Sequence, residues 1–201
     1  MISQIDGVFW PRSDKTTWWV LQQEMATAIP ALLDATPGRG VCVQAGGNAG
    51  LWPRALAAHF RAVYTFEPER ELFECLVRNV PGNVYPFRAG LGQRTAGAGI
   101  SYCEANPGGT ALSGEGDLRV MTVDSLGLEE CDLLCLDIEG FELHALMGAW
   151  ATIDRLSPVI SVEIRGLSER YGVTGAQTRQ WLQDRGYSLL RACDWDELWR
   201  K

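Results

Sequence analysis

Residues 41–50, Val-Cys-Val-Gln-Ala-Gly-Gly-Asn-Ala-Gly, constrain this chain more than any other stretch. An apolar run breaks into a glycine-rich turn, a helix-like segment follows, and Phe66-Glu67-Pro68 closes a second apolar run. That is how a strand, a tight loop, a helix and a second strand are written around a nucleoside. Glycine has no Cβ to hold the backbone off a ligand, and an acid ending the second strand can accept hydrogen bonds from two ribose hydroxyls. The pattern predicts a nucleoside-type cofactor without specifying which.

The rest of the chain alternates in the same way. Trp18, Leu21, Met25, Ala28, Ile29 and Leu32 recur at helical spacing from Thr16 onward, with Pro30 expected to end or kink that helix. Strands are expected at 40–45, 62–66, 83–89, 131–137, 159–164 and 187–191, with an edge strand from the tail, 194–199. The intervening helices carry stripes formed by Trp52, Ala55, Leu56 and His59, by Leu72, Phe73, Leu76 and Val77, and by Leu143, Leu146, Met147 and Trp150. A further helix is expected over 175–185. Residues 6–13 read as loop, and 90–116 as loops with a short strand at 99–103, including glycine clusters at 106–109 and 113–116. Strands alternating with helices predict a doubly wound, mostly parallel, seven-stranded Rossmann-like sheet with helices on both faces. Residues 1–39 form an aromatic-rich lead segment that can cover an acceptor pocket, and 40–201 the sheet domain.

Composition excludes several classes. With 201 residues, 46% of them apolar, the chain is long enough for one well-buried core. A net charge of −7 argues against nucleic acid as a partner, because broad binding needs cations to displace counterions. No run approaches the roughly 18 apolar residues of a membrane span. The first residues lack a secretion signal's basic start and apolar middle, so a cytoplasmic protein with no membrane partner is expected. The six cysteines contain no Cys-x-x-Cys pair and only two histidines accompany them, which favours buried free thiols over zinc. His59 falls on a core stripe and His144 off one, so neither is expected to do chemistry.

Three loops converge at the carboxyl ends of the expected strands: 44–50, Glu67-Pro68 and Asp137-Ile-Glu-Gly140. Ala45-x-Gly47-x-x-Gly50 with Glu67 downstream is also a degenerate dinucleotide fingerprint, so an NAD-dependent oxidoreductase stays open on these residues alone. So does a weakly catalytic nucleoside-binding or scaffold protein. Asn48, Gly50, Phe66-Glu67-Pro68, Val123-Asp124-Ser125-Leu126, Leu136-Asp137-Ile138-Glu139-Gly140-Phe141-Glu142, Leu146-Met147-Gly148-Ala149 and Pro158–Glu163 together resemble the FkbM-type methyltransferases over residues 40–190.

The resemblance implies a class I methyltransferase using S-adenosylmethionine (SAM) and releasing S-adenosylhomocysteine (SAH). It also implies a small-molecule or glycan acceptor methylated on oxygen. On it, Gly46, Asn48 and Gly50 line the methionine part, Glu67 grips the ribose, and Asp137 lies beside the amino group or methyl. Gln44, Ala45 and Pro68 complete the cofactor set. Asp137, Glu139 and Glu163 are the catalytic candidates, since a hydroxyl acceptor needs a base. The acids permit Mg2+ without indicating it, and no metal ligands are assigned. Gln44 departs from the family, which usually has an acid there. The missing charge predicts weaker cofactor binding or a negative charge supplied by another residue.

Overall fold

The computed structural model describes residues 2–12, 17–101, 111–193 and 196–201. Five strands carry the fold: β3 (Val41–Ala45), β4 (Ala62–Phe66), β5 (Val84–Phe87), β9 (Leu133–Leu136) and β10 (Val159–Glu163). All but β5 are short runs buried on both faces, the pattern of strands sandwiched between helices, while β5 lies at the sheet edge with Tyr85 exposed. With β11 (Ser188–Cys193) and β12 (Asp196–Arg200) they form a seven-stranded sheet of order β11-β12-β10-β9-β3-β4-β5. The pairings among the first five are parallel, and the two made by β12 are antiparallel. The sheet is therefore mixed. The tail strand also does not lie at the edge: β12 turns back from β11 and inserts between it and β10, burying Leu198 and Trp199.

Alternation along each strand sends side chains to opposite faces. Val41, Val43, Leu134, Leu136 and Ile160 pack under α4 (Glu142–Met147), α5 (Trp150–Leu156) and α6 (Gly175–Gln183). Cys42, Val63, Leu133 and Cys135 pack under α1 (Thr17–Ala35) and α2 (Leu51–Ala57). The third flanking helix, α3 (Arg70–Asn79), receives an N-terminal hairpin of β1 (Ile2–Ile5) and β2 (Val8–Pro11). This hairpin replaces the loop expected at 6–13. Its turn is Asp6-Gly7 with both φ angles positive, the backbone a two-residue hairpin demands. Trp10 is fully buried there, edge-on to Trp18 at 5.4 Å. Asn79 receives the Phe9 N–H and donates to the Phe9 and Ala49 carbonyls, taking the place of a neighbouring strand.

Other expectations give way to local physics. Pro30 sits on the solvent face of α1, where water can take the carbonyl its missing N–H leaves over, and the helix continues to Ala35. His59 and Val77 are exposed, with Phe60 and Cys75 buried beside them. Trp150 is exposed because Gly148 ends α4 and α5 starts anew. The stretch expected to be mostly loop holds β6 (Gly90–Leu91), β7 (Ala96–Ser101) and β8 (Ala111–Met121), a separate three-stranded sheet. Its small residues hide the strand signal, since Gly and Ala carry little β-propensity. Of the expected strand at 99–103, residues 99–101 belong to β7 and 102–103 lie outside the described residues; of the two glycine clusters, 113–116 falls in β8 and 106–109 lies outside the described residues. Among the described residues no helix is long and apolar enough to cross a membrane.

Candidate active site

Register assembles the site. Ala45 pairs with both Phe66 and Leu136, and Leu136 pairs with Val162. The next residue on each strand is Gly46, Glu67, Asp137 and Glu163. Four neighbouring parallel strands thus deliver one backbone turn and three carboxyl groups to the same level of one sheet edge.

The turn at 46–50 is closed on itself. The N–H groups of Gly46 and Gly47 both donate to the Phe66 carbonyl, at 3.1 and 2.9 Å. Asn48 N–H donates to Glu67 Oε2 at 2.8 Å, Ala49 N–H to Asn48 Oδ1 at 2.6 Å, and Gly50 N–H to the Gly47 carbonyl at 2.8 Å. Gly46 has φ 84°, and a Cβ there would stand 1.9 Å from the Asp137 carbonyl oxygen, so only glycine fits. Gly50, with φ 95°, caps α2 against the Leu76 backbone and lies outside the cavity linings.

Gln44 is 2% exposed and fully used. Its amide nitrogen donates to the carbonyls of Ala45 and Gly46, and its oxygen accepts from Thr65 Oγ1 at 2.5 Å. It braces the turn from the α1 side of the sheet. Glu67, also buried, accepts from Glu69 N–H as well as Asn48 N–H, and burial still pushes its carboxyl up to about 7. Each of its oxygens keeps a second lone pair for a ligand hydroxyl.

The 137–142 turn carries the chemistry of the opposite wall. Asp137 faces the cleft, and the enclosing walls push its carboxyl above its ordinary value, while Arg165 and a hydrogen bond with Glu163 pull it back. Glu163 is pushed up to about 9, by burial and then by the Asp137 charge. A hydrogen bond joins the two carboxyl groups, and burial raises both. Glu139 adopts φ 58°, a costly backbone for a side chain of its size, and is raised mainly by burial against the pull of Arg165.

Two residues to which sequence reasoning gave no role hold this arrangement. Arg165 reaches Glu139 at 3.0 Å and Glu163 at 3.2 Å. Its signal was the i, i+2 spacing from Glu163 at a strand end. Glu142, 3% exposed, accepts the N–H groups of Ile138 and Gly140 through one oxygen, 3.0 Å each, and burial raises its carboxyl to about 7. Its signal was an acid two residues after Gly140, close enough to fold back on the N–H groups of the 138–140 turn.

Two cavities meet at Gly46, Glu67, Asp137 and Glu139. One is an apolar slot walled by Phe66, Leu72, Leu91, Leu112, Ile138 and Phe141, with Ala45 and Pro68 also at its lining. The other is a polar cleft under α1 that Asn48 also lines. Its acids are Glu24, Glu67, Asp137, Glu139, Glu163 and Asp196, against Arg165 and Arg191. Such a pair of cavities accommodates an amphipathic ligand with a flat apolar end and a cationic polar end. Among the described residues no cluster of three or more His, Cys, Asp or Glu is arranged to hold a metal ion.

Comparison with known proteins agrees on family. The model of the methyltransferase FkbM domain matches residues 44–189. No curated protein matches the sequence. Among solved structures, the methyltransferase FkbM of Methylobacillus flagellatus is similar with TM-score 0.55 and 19% identity, over 82% of this chain and 44% of that one. Precorrin 8w decarboxylase of Methanobacterium thermoautotrophicum aligns with TM-score 0.52 and 17% identity, over 94% of this chain and 92% of that one. The ribosomal protein L11 methylase of Lactobacillus delbrueckii aligns with TM-score 0.53 and 14% identity, over 89% and 79%. At these identities the three share the α/β fold with this chain. The family match spans most of the sequence, and the chain belongs to the FkbM methyltransferase family.

Proposed function

We propose that this protein is a SAM-dependent methyltransferase acting on a hydroxyl oxygen of a small-molecule or sugar acceptor. The observation that carries the reading is the junction at Gly46, Glu67, Asp137 and Glu139 of an apolar slot with a cleft lined by six acids and two arginines. SAM has that division: a flat adenine, a ribose diol, and a tail bearing an ammonium and a sulfonium. The slot residues would take the base, Glu67 the diol, and Asp137 with Glu139 the cationic tail. The cofactor, when bound, supplies an activated methyl group.

The same geometry weighs against a dinucleotide. A pyrophosphate needs free backbone N–H groups at the glycine turn. All five N–H groups from Gly46 to Gly50 are already donated within the protein. An acid-rich cleft adds repulsion to that loss.

The chain's own contribution to transfer is positioning and proton handling. Asp137 and Glu163 both line the cleft, and the raised basicity of Asp137 suits it to take the acceptor's hydroxyl proton. Arg165 holds Glu139 and Glu163 in place, which fixes the base against the bound acceptor. The missing charge at Gln44 is supplied from the cleft walls. Calorimetric titration with SAM, SAH and NAD tests the reading. Binding of SAM and SAH without NAD is expected. Binding of NAD alone would reassign the protein to oxidoreduction, and binding of none would favour a scaffold.

A further inference from the structure

The added sheet of β6, β7 and β8 borders a second groove, which the nucleoside cleft does not use. Leu112 and Phe141 belong to both the apolar slot and this groove, and they separate the two. On one side β7 and β8 present small residues, Ala96, Ala98, Ser113 and Gly114. Facing them is an aromatic wall: the Phe141 ring lies 4.5 Å from His144 and 4.8 Å from Tyr171. The wall is fixed, because Tyr171 Oη donates to the Leu112 carbonyl at 3.0 Å and so ties the turn at 167–171 to β8. Partial burial lowers the His144 pKa, leaving a neutral ring.

Charge separates this groove from the rest of the molecule. The chain carries −7, and the neighbouring cleft is lined by six acids. Among the described residues, the groove lining has no acid and includes Arg94 and Arg170. Arg170 is oriented by its Nε donating to the Leu167 carbonyl at 3.1 Å and by its stand over the Tyr171 ring. Of the charged side chains that line the groove, both are guanidinium groups, and such a lining favours an anion at short range. Guanidinium matches phosphate and carboxylate oxygens, and a rigid aromatic wall facing a floor of small side chains matches the thickness of a ring.

We propose that this groove binds an anionic sugar, with the sugar ring between the aromatic wall and the small-residue strands and its phosphate or carboxylate on Arg94 and Arg170. The site is distinct from the nucleoside cleft and does not depend on the methyltransferase chemistry assigned there.

The test is titration of the SAH-loaded protein, followed by amide NMR, with four probes: glucose 6-phosphate, glucuronate, glucose and inorganic phosphate. Glucose 6-phosphate, glucuronate or both are expected to shift residues of β7, β8 and the 167–171 turn. Each binding probe should do so at least tenfold more tightly than glucose or phosphate. A phosphate-only or carboxylate-only result identifies which anion the arginines accept. Arg94→Glu, an exposed position, should weaken that binding at least tenfold while melting temperature and SAH affinity stay unchanged. The proposal is overturned if neither anionic sugar binds, if inorganic phosphate binds as tightly as the sugar phosphate, or if Arg94→Glu has no effect. SAH affinity read in the same sample keeps a failure here separate from a failure of the cleft assignment.

Discussion

Three buried polar side chains at the site are governed by how their oxygens and nitrogens are spent. Gln44 donates to two carbonyls that a carboxylate would repel. Restoring the family's acid is therefore not a repair in this chain. Gln44→Glu should lower stability by about 1–3 kcal/mol, the cost of leaving buried carbonyls unmatched. It should also fail to tighten SAM binding. A thermal melt and a titration check both, and tighter binding at unchanged stability would refute the assignment. Glu142 behaves differently, because one oxygen accepts both of its N–H bonds and a glutamine oxygen can do the same. Its carboxyl titrates near 4.5 when unfolded and near 7 when folded. Between those values the folded state holds the extra proton, so this group's stability contribution is present below 4.5 and lost as pH rises through 7. Glu142→Gln should match the parent at pH 5 and melt higher at pH 8, by an amount on the order of a few kcal/mol. Parallel melting curves for parent and variant across that range would show that Glu142 does not carry this cost. Glu67 spends both oxygens on N–H groups, and an amide there could serve only one of them.

At the scale of elements, the legible parts were those whose side chains repeat with a period. The buried strands β3, β4, β9 and β10 are continuous apolar runs, and their carboxyl ends hold every acid picked out as catalytic. The N-terminal hairpin was not legible: Asp6-Gly7 is a hairpin turn, but the flanking residues are too few to show alternation. The β7–β8 pair was hidden by Gly and Ala, whose strand character comes from pairing with each other rather than from their own propensity. Arg165 was missed because its bond to Glu139 depends on the arrangement of neighbouring strands, and only its i, i+2 spacing from Glu163 is local. The hairpin's attachment rests on Asn79, with three bonds to the chain around it. Asn79→Ala should cost about 1–3 kcal/mol. Hydrogen exchange should then rise across residues 2–11 while the β3 and β9 cores stay protected. Uniform loss of protection would mean that the hairpin is integral to the main core.

The whole molecule places two cavities of opposite character against one aromatic partition, with the acids gathered on the side where four parallel strands end. An acidic cleft joined to an apolar slot selects for a cation with a flat apolar end, and the turn at 46–50 has no N–H left for a pyrophosphate. That closed turn weighs against a dinucleotide and so supports the proposed SAM reading of residues 41–50. The most direct measurement is the affinity of SAH for the parent protein and for Glu67→Ala, by calorimetry at pH 8. Clear binding to the parent is expected, and binding at least tenfold weaker, about 1.4 kcal/mol or more, to the variant. Equal affinity for the two proteins, with the variant folded, would contradict the cleft assignment.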